Sequence, residues 1–284
     1  MPRLFLHTLF SVAALGLLLT ACTTQPPRPA AAAGSPEAAA EAAAAPTSAS
    51  AVGRYPVANA GQVVVVTASG WDATEGELQR FERDGMSWHR IGAPEAVSLG
   101  RSGLAWGQGR HAMPQGDGPI KREGDGRSPA GVFDLPGAFG YGPTGHSLMP
   151  YEAMDASDWC IDVDTSPFYN RIIDARQEGE AAVAGSSEPM RLDLHNAGDD
   201  RYALGLKVAH NPANVPGQGS CIFMHLWRRP GETTAGCTAM SDSTMLTLLS
   251  WLDPQRHPVL VLLPEAEYAR LRSAWNLPAV QVSR

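Results

Sequence analysis

The sequence predicts a mainly β body with a few helices, an α+β fold. Three observations carry this expectation. Short β-branched, apolar or alternating runs recur at residues 62–67, 77–82, 87–91, 97–99, 104–106, 132–135, 191–194, 202–209, 221–226 and 259–263. Glycine and proline are abundant, 29 and 23 of 284 residues, as a turn-rich β fold requires. Only two segments carry helix signals.

Val63, Val64, Val65 and Val66 form a continuous β-branched run, the mark of a strand buried on both faces. Asp84-Gly85 separates runs 77–82 and 87–91 and reads as a hairpin turn. A helix is expected over 242–252, with Ser241 or Asp242 as N-cap and Pro254 beyond its end. Its buried face is Met245, Leu248, Leu249 and Leu252. A second helix is expected over 265–275, after the apolar strand 259–263. No internal repeat is visible.

The first residues stand apart from this body. Arg3 precedes an apolar stretch, 4–19, too short to span a membrane and suited to a signal peptide. It ends in Leu19-Thr20-Ala21-Cys22, which resembles a bacterial lipobox. Residues 1–21 are thus expected to be a lipoprotein signal peptide and Cys22 the lipidated first residue. Residues 22–54 read as an Ala/Pro-rich disordered tether, since 13 of the 22 residues from 30 to 51 are alanine and none is large and apolar. As a coil it spans about 30 Å. The expected working domain is 55–284. Thr23 stands where inner-membrane lipoproteins commonly carry Asp, so an outer-membrane anchor facing the periplasm is expected in a diderm cell.

The net charge of -7 argues against nucleic acid as a partner. The P-loop, nucleophile-elbow, His-Glu-x-x-His and Cys-x-x-Cys patterns are all missing. Reactive residue types instead concentrate in Gly219-Ser220-Cys221-Ile222-Phe223-Met224-His225 and Thr233-Thr234-Ala235-Gly236-Cys237-Thr238. His225 ends a strand candidate, and Cys237 follows a glycine just before a helix. A neighbouring imidazole can take the thiol proton, and Gly236 lets backbone amides approach a substrate carbonyl. Cys and His together suffice for acyl transfer through a thioester.

Thr234-Ala235-Gly236-Cys237 resembles the Ser/Thr-x-Gly-Cys motif of YkuD-type L,D-transpeptidases. Ser128-Pro129-Ala130-Gly131-Val132-Phe133, about a hundred residues earlier, resembles the same family's Thr/Ser-Pro-x-Gly-x-Phe segment, and residues 121–127 lead into it. The resemblance covers 107–264. It implies a β-sandwich-like catalytic fold and peptidoglycan stem peptides as substrate. It implies Cys237 as nucleophile, His225 as general base, and Gly236 with the Cys237 amide at the oxyanion. No cofactor or metal is implied. Ala235 and Ala239 stand where the family carries His and Arg or Asn, Leu226 replaces the glycine of His-Gly, and only 12 positions separate His225 from Cys237. These departures place the chain in a divergent branch.

With Cys22 lipidated and Cys237 free, export favours pairing Cys160 with Cys221. His195 and His210 read as structural, although His195-Asn196 could line a cleft. Asp155, Asp158, Asp162 and Asp164 lack calcium-loop spacing and read as a solvated loop. The leading expectation is a lipid-anchored L,D-transpeptidase. A carboxypeptidase or endopeptidase using the same residues and a non-catalytic wall-binding lipoprotein are the alternatives.

Overall fold

The computed structural model describes residues 55–113 and 117–281. The signal segment, Cys22 and the tether lie outside the described residues. The strands are β1 (Gln62–Ala68), β2 (Glu75–Asp84), β3 (Ser87–Ser98), β4 (Leu104–Trp106), β5 (Ser128–Asp134), β6 (Ala138–Gly140) and β7 (Tyr151–Ala153). They continue as β8 (Asp158–Cys160), β9 (Ile172–Asp174), β10 (Glu188–Pro189), β11 (Leu204–Lys207), β12 (Phe223–Leu226), β13 (Thr238–Met240) and β14 (Val259–Pro264). The α-helices are α1 (Ala175–Glu178), α2 (Glu180–Val183), α3 (Leu192–His195), α4 (Asp242–Trp251) and α5 (Glu265–Trp275). The fold is mainly β with a few helices.

Eleven strands join in one mixed sheet, in the order β4-β5-β14-β1-β2-β3-β13-β12-β11-β6-β7. The valine run explains its centre. β1 pairs parallel with β14 and antiparallel with β2, and all four valines are fully buried. Burying each such side chain contributes about 1.5–3 kcal/mol relative to leaving it exposed. Helix α5 packs over β14 and β1, and α4 packs near β11 and β12. Ser241 caps α4 by accepting the Thr244 N–H at 3.1 Å, and Met245, Leu248, Leu249 and Leu252 are buried.

Two of the expected strands differ from the structure. Residues 97–99 are no separate strand. β3 runs from the hairpin to Ser98 because a register shift between Leu78 and Arg80 lets its pairing with β2 continue. The alternating Arg191-Leu192-Asp193-Leu194 run is not a strand either. Leu192–His195 form one helical turn, closed by the Asn196 N–H on the Leu192 carbonyl at 2.6 Å. Four alternating residues fit a strand or a turn equally well. Here Leu192 faces the core, while Leu194 is 57% exposed.

A second, three-stranded sheet, β10-β8-β9, lies apart from the first in strand pairing. A disulfide between Cys160 at the end of β8 and Cys221 just before β12, with Cα atoms 5.9 Å apart, ties the two. The acidic loop residues act locally: Asp158 accepts the Asp155 N–H, Asp162 holds Ser186 and Ser187, and Asp164 accepts the Gly217 N–H.

Cutting the disulfide should destabilise the domain. It closes a 61-residue separation, which is worth about 4 kcal/mol in the chain-entropy treatment. We expect Cys160→Ser with Cys221→Ser to lower the thermal midpoint by roughly 10 °C. An unchanged midpoint in differential scanning calorimetry would show that the bond constrains nothing.

Candidate active site

Parallel pairing of β12 with β13 builds the site. Met224, His225 and Leu226 stand level with Thr238, Ala239 and Met240. Side chains alternate along a strand, so His225 and Phe223 share a face with Ala239, and Cys237 lies two residues before it. Cys237 and His225 are both buried, and both line a cavity of about 590 Å³.

The backbone of Cys237 is held by two hydroxyls. Ser128 Oγ donates to its carbonyl at 3.0 Å and Thr234 Oγ1 at 2.7 Å. Ser128 in turn accepts the Gly100 N–H at 2.9 Å. The Ser-Pro-x-Gly-x-Phe segment and the Cys237 segment, 109 residues apart in sequence, therefore meet at one atom. Gly131 of the same segment has φ of 144°, and a Cβ there would lie 1.9 Å from His111 Cε1. That contact leaves room only for glycine. Lys121, Glu123 and Gly124, from the stretch leading into the segment, line the cavity.

His225 Nδ1 lies 2.7 Å from the Leu226 carbonyl. A carbonyl can only accept, so Nδ1 carries the proton and Nε2 offers its lone pair in the neutral ring. The Tyr202 ring packs edge-on against the imidazole, centroids 5.3 Å apart. Burial pushes the His225 pKa down to about 4.

Cys237 Sγ accepts the Phe223 N–H at 3.3 Å and donates to the Cys221 carbonyl at 3.5 Å. Burial first, and then the charge of Glu188, push the thiol up to about 12. The structure brings His225 and Cys237 into one cavity, with no hydrogen bond between them. The thiolate–imidazolium pair suggested by their proximity in sequence is not the resting form. Burial disfavours both charges, so thiol and imidazole are both neutral at pH 7.

Gly236 needs correction as an oxyanion donor. Its N–H is already committed to Thr234 Oγ1 at 3.0 Å. Its contribution is conformational: φ is 153°, and a Cβ there would stand 3.1 Å from the Arg127 carbonyl.

Sequence reasoning missed Glu188, Tyr202 and Arg201, which all line the cavity. Tyr202 donates its hydroxyl to Glu188 Oε1. Burial pushes the Glu188 carboxyl up to about 7. Arg201 is held by Asp199 through bonds of 2.7–2.9 Å. No sequence pattern around Ser187-Glu188-Pro189 marks a site. His195 and Asn196 stand on the cavity's edge, where His195 Nε2 meets the Ala156 carbonyl at 2.7 Å. His210 is structural, bonded to the Gln218 carbonyl and the Gln108 N–H. Among the described residues no three His, Cys, Asp or Glu side chains converge as a metal site.

No family model matches this chain, and no curated protein matches it. Among solved structures it is similar to the Bdellovibrio bacteriovorus Bd1075 structure, at 14% identity and a TM-score of 0.35. The match covers 76% of this chain and 55% of that one, so the chain spans about half of that structure's length. A likeness at this level carries no argument about function.

Two outcomes follow from the buried charges. Cys237 should react slowly with iodoacetamide at pH 7, with a rate climbing about tenfold per pH unit to beyond pH 10. A plateau below pH 8, followed by intact mass, would overturn the neutral-thiol assignment. Stability should fall in acid. His111, His210 and His225 are each pushed down by burial to about 4, from an ordinary 6.5. The unfolded chain therefore binds more protons between those values, and their stabilisation is lost as pH falls through that window. Glu188 opposes this: its contribution is full below 4.5 and lost as pH rises to about 7. Three groups against one leave a net uptake of about two protons on unfolding near pH 5. The thermal midpoint is expected to drop between pH 7 and pH 4.5; a rise would contradict the balance.

Proposed function

We propose that this protein is a cysteine-dependent L,D-transpeptidase acting on peptidoglycan stem peptides, anchored in the cell envelope through lipidated Cys22. The observation that carries this reading is the Ser128 hydroxyl on the Cys237 carbonyl. Two sequence segments, each resembling a motif of one enzyme family, meet there at the nucleophile. The 590 Å³ cavity shared by Cys237 and His225 supports the same reading.

In this reading the donor carbonyl enters against Sγ. As sulfur attacks, Nε2 of His225 takes the thiol proton, and the Leu226 carbonyl on Nδ1 stabilises the imidazolium that forms. Neither group is charged beforehand, so charge appears only as the tetrahedral intermediate forms. With the Gly236 N–H engaged, the Cys237 amide is the one of the pair left for the oxyanion. The imidazolium then protonates the departing amine, and the acyl group stays on sulfur as a thioester. An acceptor amine attacks that thioester, the C–S bond breaks, and the amine's surplus proton returns through His225 to the thiol. Water in place of the amine makes the same site a hydrolase.

Incubation with defined tetrapeptide muropeptides and mass analysis of the products tests the proposal. Cross-linked dimers are expected, and Cys237→Ala should abolish them. His225→Ala should slow acylation by about 10²–10⁴-fold while the domain stays folded. Trimmed monomers alone would replace transfer with hydrolysis. Absence of any cysteine-dependent product would refute catalysis.

A further inference from the structure

Three carboxylates line the cavity: Glu123, Asp162 and Glu188. Two are already engaged at both oxygens. Glu123 accepts the Gly124 N–H on Oε1, and the Ser220 and Tyr169 hydroxyls on Oε2. Asp162 accepts Ser186 and Ser187 on Oδ1, and the Ser187 hydroxyl on Oδ2. Glu188 differs. Tyr202 occupies Oε1, and Oε2 accepts no hydrogen bond among the described residues. Two of the cations lining the cavity are bound elsewhere, Lys121 by Asp125 and Arg201 by Asp199.

Glu188 is also held rigidly. It stands opposite Cys160 in the β10–β8 pair, and Cys160 is bonded through sulfur to Cys221. The Cys221 carbonyl in turn touches Cys237 Sγ. A chain of pairing, disulfide and hydrogen bond thus fixes this carboxylate relative to the reacting sulfur.

We infer that Glu188 is a specificity-determining residue, resting on the peptidase-like acyl transfer proposed above, that binds a free amine in its ammonium form on the substrate peptide through Oε2. A half-buried carboxylate with one oxygen open to the cavity is best matched by a cation with N–H donors, in a charge-assisted hydrogen bond. An acetylated or amidated nitrogen lacks that charge. Burial raises the pKa of Glu188, and the neighbouring charge of Arg201, itself bound by Asp199, offsets this only in part. Glu188 also raises the Cys237 thiol, so an ammonium that neutralises it eases thiol ionisation as the substrate arrives.

The test compares one tetrapeptide muropeptide carrying a free side-chain amine with the same peptide acetylated there. The full chain is expected to prefer the free amine by about 10- to 100-fold in kcat/KM, chiefly through KM. Glu188→Gln keeps an acceptor for Tyr202 and removes the charge. It should collapse the preference to near one, and Glu188→Asp should restore part of it. A second arm measures binding of both peptides by calorimetry in Cys237→Ala, with and without Glu188→Gln. That arm decides the role of Glu188 even where no turnover occurs, whereas absent turnover of either peptide counts against the proposed reaction. A preference retained in Glu188→Gln, or no preference in the unsubstituted chain, overturns the inference.

Discussion

The Cys237 carbonyl, held by Ser128 from one side and Thr234 from the other, is the contact on which the site depends. A buried carbonyl left without donors costs about 1–3 kcal/mol, so these hydroxyls stabilise the turn as well as aim it. Thr234 is itself stitched to the end of β3, its N–H on the Leu99 carbonyl and its carbonyl on the Arg101 N–H. Ser128 begins β5, which pairs with β14 beside the valine core. The Cys237 backbone is therefore fastened to the central sheet through two routes far apart in sequence.

Burial then sets the chemistry. The same apolar surroundings that stabilise the sheet disfavour a thiolate and an imidazolium equally, and the two are not hydrogen-bonded. The protein avoids carrying a buried ion pair, which in a dry interior is expensive to hold. It keeps a neutral acid–base couple whose tautomer is selected by the Leu226 carbonyl. The Cys237 sulfur is buried, and solvent meets little of it.

The small sheet β10-β8-β9 contributes what the large sheet lacks. Few of its residues join the main apolar cluster, and its own cluster of Ile161, Ala175 and Val183 is small. The Cys160–Cys221 bond compensates for that by attaching it next to β12. Through it, Glu188 reaches the cavity from an element that carries none of the motif residues, and there it accepts the hydroxyl of Tyr202, which precedes β11 of the large sheet. Ala235 and Ala239, on either side of Cys237, carry no polar side-chain group. The polar contacts in this cavity come instead from residues delivered by other elements.

Local pattern was enough for much of the fold. Residues 62–67, the Asp84-Gly85 hairpin, residues 104–106 and both long helices follow from periodicity, turn chemistry and caps, which act over a few neighbouring residues. The motif residues Cys237, His225 and Ser128 were also visible, because short segments with unusual residue types stand out in one dimension. Residues 191–194 were not legible, since four alternating residues do not distinguish a strand from a turn when no partner strand is known. Glu188, Tyr202 and the commitment of the Gly236 N–H were not legible either. Their roles depend on long-range packing: strand pairing, a disulfide and burial that bring 188, 202, 225 and 237 to one cavity. The sequence alone determined the long strands, the hairpin and the two long helices, and which reactive side chains exist. The tertiary structure alone decided their charge, their hydrogen-bond partners and which of them share the cavity, because burial and contact are properties of three-dimensional neighbours.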